Sequence, residues 1–214
     1  MSTFHFDIDT AHAKKNNEIL KDTRRLQISA FIFALIQLGI GIALYFYLNK
    51  DIMGLFVLGA FGAMAVFTLA FIFIIPRKVG TPQQLYQKYE LAPAIIAQVN
   101  PRDMVLLALV NTNVDPDISP RWALAARTVT ALPGHNLKVG EQVPSVAVTG
   151  RRSLKTEHSW DHITPMPIAW ATKDAEVIQR AKKEIPQQLW AKLEKNLPKL
   201  AQVRETKFDL LSID

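Results

Sequence analysis

The hydrophobic positions of this chain collect in one block. From Leu26 to Pro76, 38 of 51 residues are hydrophobic, and only Lys50 and Asp51 are charged. Within the block, Leu26–Leu48 runs for 23 residues and Leu55–Ile75 for 21 residues without a charge. At about 1.5 Å rise per residue, each run makes a helix of roughly 30–35 Å, the thickness of a bilayer's hydrocarbon core. Backbone groups in lipid must be satisfied within their own segment, so helix is the form expected of both. A pair of buried core helices is the alternative, but a soluble chain of this size rarely needs two such runs. The first follows a mostly polar stretch of 25 residues and a second follows it at once, which is not the layout of a signal peptide.

The link Asn49–Gly54 is too short for anything but an antiparallel hairpin. Its flanks are unequal in charge. Lys14, Lys15, Lys21, Arg24 and Arg25 precede the first run, Arg77 and Lys78 follow the second, and the link holds Lys50 alone. By the positive-inside rule both termini, and the soluble part with them, are expected in the cytoplasm, with the seven flanking cations at lipid headgroups. Ala30, Ala34, Gln37 and Gly41 share one face of the first helix. Gly59, Ala63 and Ala70 share one face of the second, with Gly62 beside them. Small residues let backbones approach and Gln37 can hydrogen-bond across helices. These faces either pack on each other or dock on a larger membrane complex. Neither run contains Asp, Glu, Lys, Arg or His, which argues against an ion, proton or substrate path through them.

Beyond the block the pattern changes period. Residues 1–25 read as a cytoplasmic helix capped by Thr10 and continuous with the first span. Residues 77–102 read as a helical connector that starts at Thr81-Pro82 and is interrupted near Pro93. From 103 to 172 the texture is strand-like: Met104–Val110, Trp122–Leu132, Val143–Thr149 and Ile163–Ala171, the last limited by Pro165 and Pro167 to an edge or an extended segment. Residues 173–214 give a helix pair, with Val177, Ile178, Ala181 and Ile185 on one stripe and Leu189, Trp190, Leu193 and Leu197 on the next. The tail from Pro198, with its apolar Phe208–Leu211, could add a strand, dock on a partner or be mobile. The fold class expected is α+β: a two-helix transmembrane hairpin at 26–76, then a small antiparallel, barrel-like domain of OB or SH3 type with C-terminal helices.

Composition narrows the chemistry. The chain has 214 residues and no Cys, so disulfides, thiolate metal sites and Cys nucleophiles are excluded. The net charge of +6 divides as +1 before the block, zero within it and +5 after it. Arg151, Arg152 and Lys155 form a basic loop, yet no nucleic-acid module accompanies it, so anionic lipid or a protein partner is the better match. Phosphate loops, the GxSxG elbow, SxxK and HExxH are missing. His158 and His162 are four apart, and His5, Asp7, Asp9 and His12 crowd the N-terminus, but neither set has the spacing of a metal site. His135, after Pro133-Gly134, reads as a surface turn. No catalytic, cofactor or metal residue is nominated, and no cofactor is expected.

The stretches EQVPSVAVTG (Glu141–Gly150), WDHITPMPIAWAT (Trp160–Thr172) and DAEVIQRAKKEI with LWAKL (Asp174–Leu193) resemble a family of uncharacterised actinobacterial, chiefly corynebacterial, proteins with a membrane hairpin and a small cytoplasmic domain. The whole chain resembles the accessory subunit of about 24 kDa in the corynebacterial cytochrome bcc–aa3 supercomplex. The resemblance implies a non-enzymatic, multi-pass subunit of the bacterial plasma membrane whose partners are respiratory membrane subunits. It supplies no catalytic residues. The alternative is a free-standing, membrane-anchored OB-like binding module that partners a membrane scaffold.

Overall fold

The computed structural model describes residues 4–115, 117–150, 152 and 158–213. It separates into two compact units: Glu18–Thr81, and the residues up to Asn17 together with those from Pro82 onward. The expected α+β layout is what the structure shows.

The first unit is the hairpin of α2 (Glu18–Tyr47) and α3 (Ile52–Val79). Both are long and apolar enough to cross a membrane. Asn49 and Lys50 take left-handed backbone conformations in the link between them.

The second unit is built on a six-stranded antiparallel sheet in the order β5-β4-β1-β2-β3-β6. Its strands are β1 (Leu91–Val99), β2 (Met104–Asn111), β3 (Trp122–Val129), β4 (Gln142–Thr149), β5 (Ile163–Pro167) and β6 (Leu210–Ser212). The sheet curls into a half-barrel. β3 and β5, which are not adjacent in the sheet, come into contact across the opening. There Arg127 Nη1 donates to the Pro165 carbonyl at 3.4 Å, and its guanidinium stacks 4.9 Å from the Trp170 ring.

The curl has a compositional cause. Side chains alternate across a strand, so one face carries every second residue. On the inner face Ala94, Ala108 and Ala125 stand in register across three strands, with Val110 opposite Ala123 in the next row. With Ala92 and Ile163 these residues form one buried cluster, against which Trp160 and Leu210 pack. Methyl groups are small enough to let neighbouring strands turn in on each other. The opposite face carries Ile95, Leu107, Leu109 and Leu124, and the helices cover it. Gln142 Nε2 donates to Glu194 Oε1 on α6 (Gln187–Asn196) at 2.9 Å, and Arg204 Nη2 on α7 (Leu200–Glu205) donates to Thr128 Oγ1 at 2.7 Å. α5 (Ala175–Glu184) packs on β4. Trp190 and Leu193 of α6 are fully buried, as the apolar stripe requires.

Three expectations need correction. The connector is helical only over α4 (Pro82–Lys88); from Leu91 it is a strand. β-branched Ile95, Ile96 and Val99 favour that form, and Pro93 lies opposite Pro144 of β4, a pair in which neither residue offers an N–H. The N-terminal helix is not continuous with the first span. α1 (Thr10–Asn16) is capped by Asp9 rather than Thr10, and the chain leaves helical geometry at Asn17. β5 stops at Pro167 and gives way to a 3-10 turn over Ile168–Trp170. Of the three fates open to the tail, the structure shows the strand: β6 pairs with β3.

Asn17 breaks the helix because its side chain is committed elsewhere. It is fully buried, and Nδ2 donates to both Tyr86 Oη (3.2 Å) and Met166 Sδ (3.2 Å). Tyr86 Oη in turn donates to the Pro167 carbonyl at 2.9 Å. Burial pushes the Tyr86 phenol far above its ordinary range, so it stays protonated and able to donate. Phe4, Phe6, His12 and Ala13 are buried beside this node. Residues 4–17 therefore belong to the domain.

Because the row Ala94, Ala108 and Ala125 holds only methyls across β1 to β3, Ala108→Leu is expected to destabilise the domain by about 1–3 kcal/mol through overpacking. Thermal unfolding of the detergent-solubilised chain would measure it. A melting temperature equal to that of the natural chain would show that the curl does not depend on small residues.

Candidate functional site

The hairpin is held by a few polar and steric contacts in an otherwise apolar setting. On α2, Ala34, Gln37 and Gly41 are buried against α3, and Ala30 is half-buried. Thr68 Oγ1 lies 3.1 Å from Gln37 Oε1 and 2.9 Å from the Met64 carbonyl, so its single proton is shared between the two acceptors. Gln27 Nε2 donates to the Ile72 carbonyl at 2.9 Å. At Gly41 an added Cβ would stand 2.8 Å from the Phe61 Cβ, so hydrogen is the largest group that fits.

These contacts set the rotation of α3, and they exclude packing within the hairpin for most of its small-residue face. The side of α3 turned to α2 carries Gly54 and Ala65, both buried, with Phe61, Thr68 and Ile72 between and beyond them. Gly59, Ala63 and Ala70 are exposed instead, and Gly62 is half-buried. A Cβ placed at Gly59 or Gly62 would meet nothing within 4 Å. Small residues occur on more than one side of α3, so their spacing alone could not choose a side. A usable signal was present: Thr68 is the sole hydroxyl or amide side chain in Leu55–Ile75, and a buried Gln37 needs such a partner.

The basic residues are at or near the helix ends. Lys14 and Lys15 are exposed in the last turn of α1, and Lys21 is half-buried early in α2. Arg24, Arg25 and Arg77 are exposed, and Arg25 Nη1 approaches Asp22 Oδ1 at 3.4 Å, a surface pair of little energetic weight. The side chain of Lys78, together with Arg151 and Lys155, lies outside the described residues.

The histidines and acids of the domain have structural employment. His12 is buried. Its Nε2 donates to the Ala169 carbonyl at 3.0 Å, and its Nδ1 accepts from Asn16 Nδ2 at 3.0 Å. Asp9 Oδ1 accepts the His12 backbone N–H at 2.9 Å, which holds that carboxyl below the usual range. His158 lends its backbone carbonyl to the Val114 N–H. The His162 ring lies edge-on to Phe208, 3.2 Å from Thr164 Oγ1, and a Cβ on Gly150 would overlap it. Among the described residues no three His, Asp or Glu side chains converge as metal ligands.

His135 overturns the surface reading. Only 5% of its side chain is exposed. Gly134, at φ +77, turns the chain back beneath α5, with Ile178 Cδ1 within 3.9 Å of where its Cβ would be. His135 Nδ1 stands 3.4 Å from Glu141 Oε1, while Nε2 is buried and finds no partner among the described residues. The sequence carried no signal for this, because Pro-Gly-His is ordinary turn composition. At the mouth of the half-barrel, Trp160 separates two hollows. One, of about 220 Å³, is rimmed by Lys88, Asn111 and Thr149; the other, of about 480 Å³, by Arg121, Asp161 and Ser212.

Comparison with known proteins adds the following. Residues 77–201 match a family described as "Protein of unknown function (DUF3239)". A crystal structure described as that of "a putative membrane protein from Corynebacterium diphtheriae" is 62% identical over 58% of this chain and 100% of its own, with a TM-score of 0.56. No curated protein matches the chain.

The two sides of the hairpin should respond differently to added bulk. Gly41→Val is expected to lower the hairpin's resistance to unfolding in detergent by about 1–3 kcal/mol, because Phe61 must move, whereas Gly59→Val leaves it unchanged. Equal losses in the two variants, followed by steric-trapping or denaturant titration, would contradict the rotation described for α3.

Proposed function

The chain belongs to the DUF3239 family of proteins of unknown function, and on that footing we propose that it is a non-catalytic accessory subunit, anchored in the membrane by its hairpin. The observation that carries the reading is the state of α3. The hairpin uses the small face of α2 internally and leaves Gly59, Ala63 and Ala70 free for a neighbouring helix. Neither uncharged run offers an Asp, Glu, Lys, Arg or His for transport. The buried titratable side chains His12 and Tyr86 are held by bonds internal to the domain, which suits a structural part more than a reacting one.

Topology supports the same reading. Residues 4–17 and the region from Pro82 onward form one body, so the two ends of the hairpin lie on one side of the membrane whatever the charge count. The excess of flanking cations assigns that side to the cytoplasm, where they would meet anionic lipid. The resemblance to the 24 kDa accessory subunit nominates the cytochrome bcc–aa3 supercomplex as the partner. The hollows beside Trp160 keep a second reading open, that of an anchored binding module.

Affinity purification of the tagged full chain from native membranes in mild detergent tests the proposal. Haem-containing subunits are expected at near-stoichiometric yield, read from their absorption. Gly59→Ile with Ala63→Ile should reduce that yield several-fold while leaving the melting temperature of the purified chain unchanged. Recovery of the chain free of haem proteins would overturn the respiratory assignment. Full recovery with the double variant would remove α3 as the docking face.

A further inference from the structure

The His135 environment goes beyond the docking role. A carboxylate cannot donate, so the contact with Glu141 Oε1 places the imidazole proton on Nδ1 and leaves Nε2 as a bare lone pair. That lone pair is buried without a donor among the described residues. A second proton would create a buried N–H with no acceptor among them. Burial accordingly holds this histidine below its ordinary value of 6.5, with the Lys182 ammonium acting in the same sense and Glu141 against it. The charged groups around the small hollow beside the ring are Glu141 from the strand approach, and Lys173 and Lys182 from the segment leading into α5 and from α5 itself.

The ring lies within the β3–β4 loop. The loop's backbone is anchored to β1 only at its far end, where the Gly140 N–H meets the Ile96 carbonyl at 2.9 Å and the Ile96 N–H meets the Glu141 carbonyl at 3.0 Å; its other backbone bonds are internal, from the His135, Lys138 and Glu141 N–H groups to the Leu132, Asn136 and Lys138 carbonyls. The loop also displays Leu137 and Val139, which are 56% and 60% exposed. We propose that His135 is a proton-operated latch: neutral, it clamps residues 132–141 beneath α5, and protonated, it leaves that pocket and frees the loop that carries Leu137 and Val139.

The sign follows from linkage. The open loop exposes an ordinary histidine, and the closed loop binds the second proton more weakly. Closure is therefore complete above the ordinary histidine range and is lost as pH falls through it. For an open-state value near 6.5, the closed-to-open ratio falls between about pH 7.5 and about pH 5.5, by at most about tenfold, the limit in which the closed form takes up no proton.

Hydrogen exchange of the full chain in nanodiscs, corrected for intrinsic exchange rates, reads this directly. Amide protection across 132–141 is expected to fall over that interval, by up to about tenfold, with β2 unaffected. The change should vanish in His135→Gln. Protection that does not vary with pH in the natural chain would overturn the latch. So would a pH dependence that survives in His135→Gln, since the histidine would then not be its source. If that variant fails to fold, the histidine carbon shifts of the natural chain decide the matter: His135 must gain its proton in step with loop opening, and protonation while the loop remains protected would refute the proposal.

Discussion

A buried amide at Asn17 organises this molecule. An asparagine removed from water must place both of its N–H donors and cannot leave them idle without a cost of about 1–3 kcal/mol. Here one N–H goes to Tyr86 Oη and the other to Met166 Sδ, and Tyr86 passes its own proton to the Pro167 carbonyl. To make those bonds the chain must leave helical geometry between α1 and α2, and Tyr86 on α4 must stand beside the end of β5. The N-terminal segment thereby becomes part of the domain. That in turn requires both ends of the hairpin to lie on one side of the membrane, a conclusion the charge pattern reaches separately.

The hairpin follows a different rule. In lipid there is little hydrophobic drive for one helix to find another, and close approach and shared protons decide the geometry. Gly41 against Phe61 and Thr68 between Gln37 and Met64 choose one rotation of α3. Once that rotation is chosen, the remaining small residues of α3 face away. The surface on which the proposed docking depends is thus a consequence of a packing choice made on the other side of the same helix.

The legible and illegible parts of the chain divide by range of interaction. Long uncharged runs, the strand-like stretches at β2 to β4 and the stripes on α5 and α6 depend on neighbours close in sequence, and these are legible. The strand β1 is only half legible: Ile95, Ile96 and Val99 favour it locally, but Pro93 reads as an interruption until Pro144, far along the chain, is placed opposite it. His135 was read as surface because what buries it is α5, which the chain reaches only after two more strands. Which of its two readings the small face of α3 takes is undecided by spacing for the same reason, even though the Gln37–Thr68 match is open to inspection.

Length, hydropathy and charge settle that this is a two-span chain with an α+β soluble part, since the energy of placing an uncharged helix in lipid is a sum over its own residues. Those sums cannot say which side of α3 is free, whether residues 4–17 join the domain, or that a turn histidine lies buried under a helix. Each of these is a competition between alternative partners for one buried surface, and folding resolves it by satisfying donors and filling space among residues that the order of the chain keeps far apart.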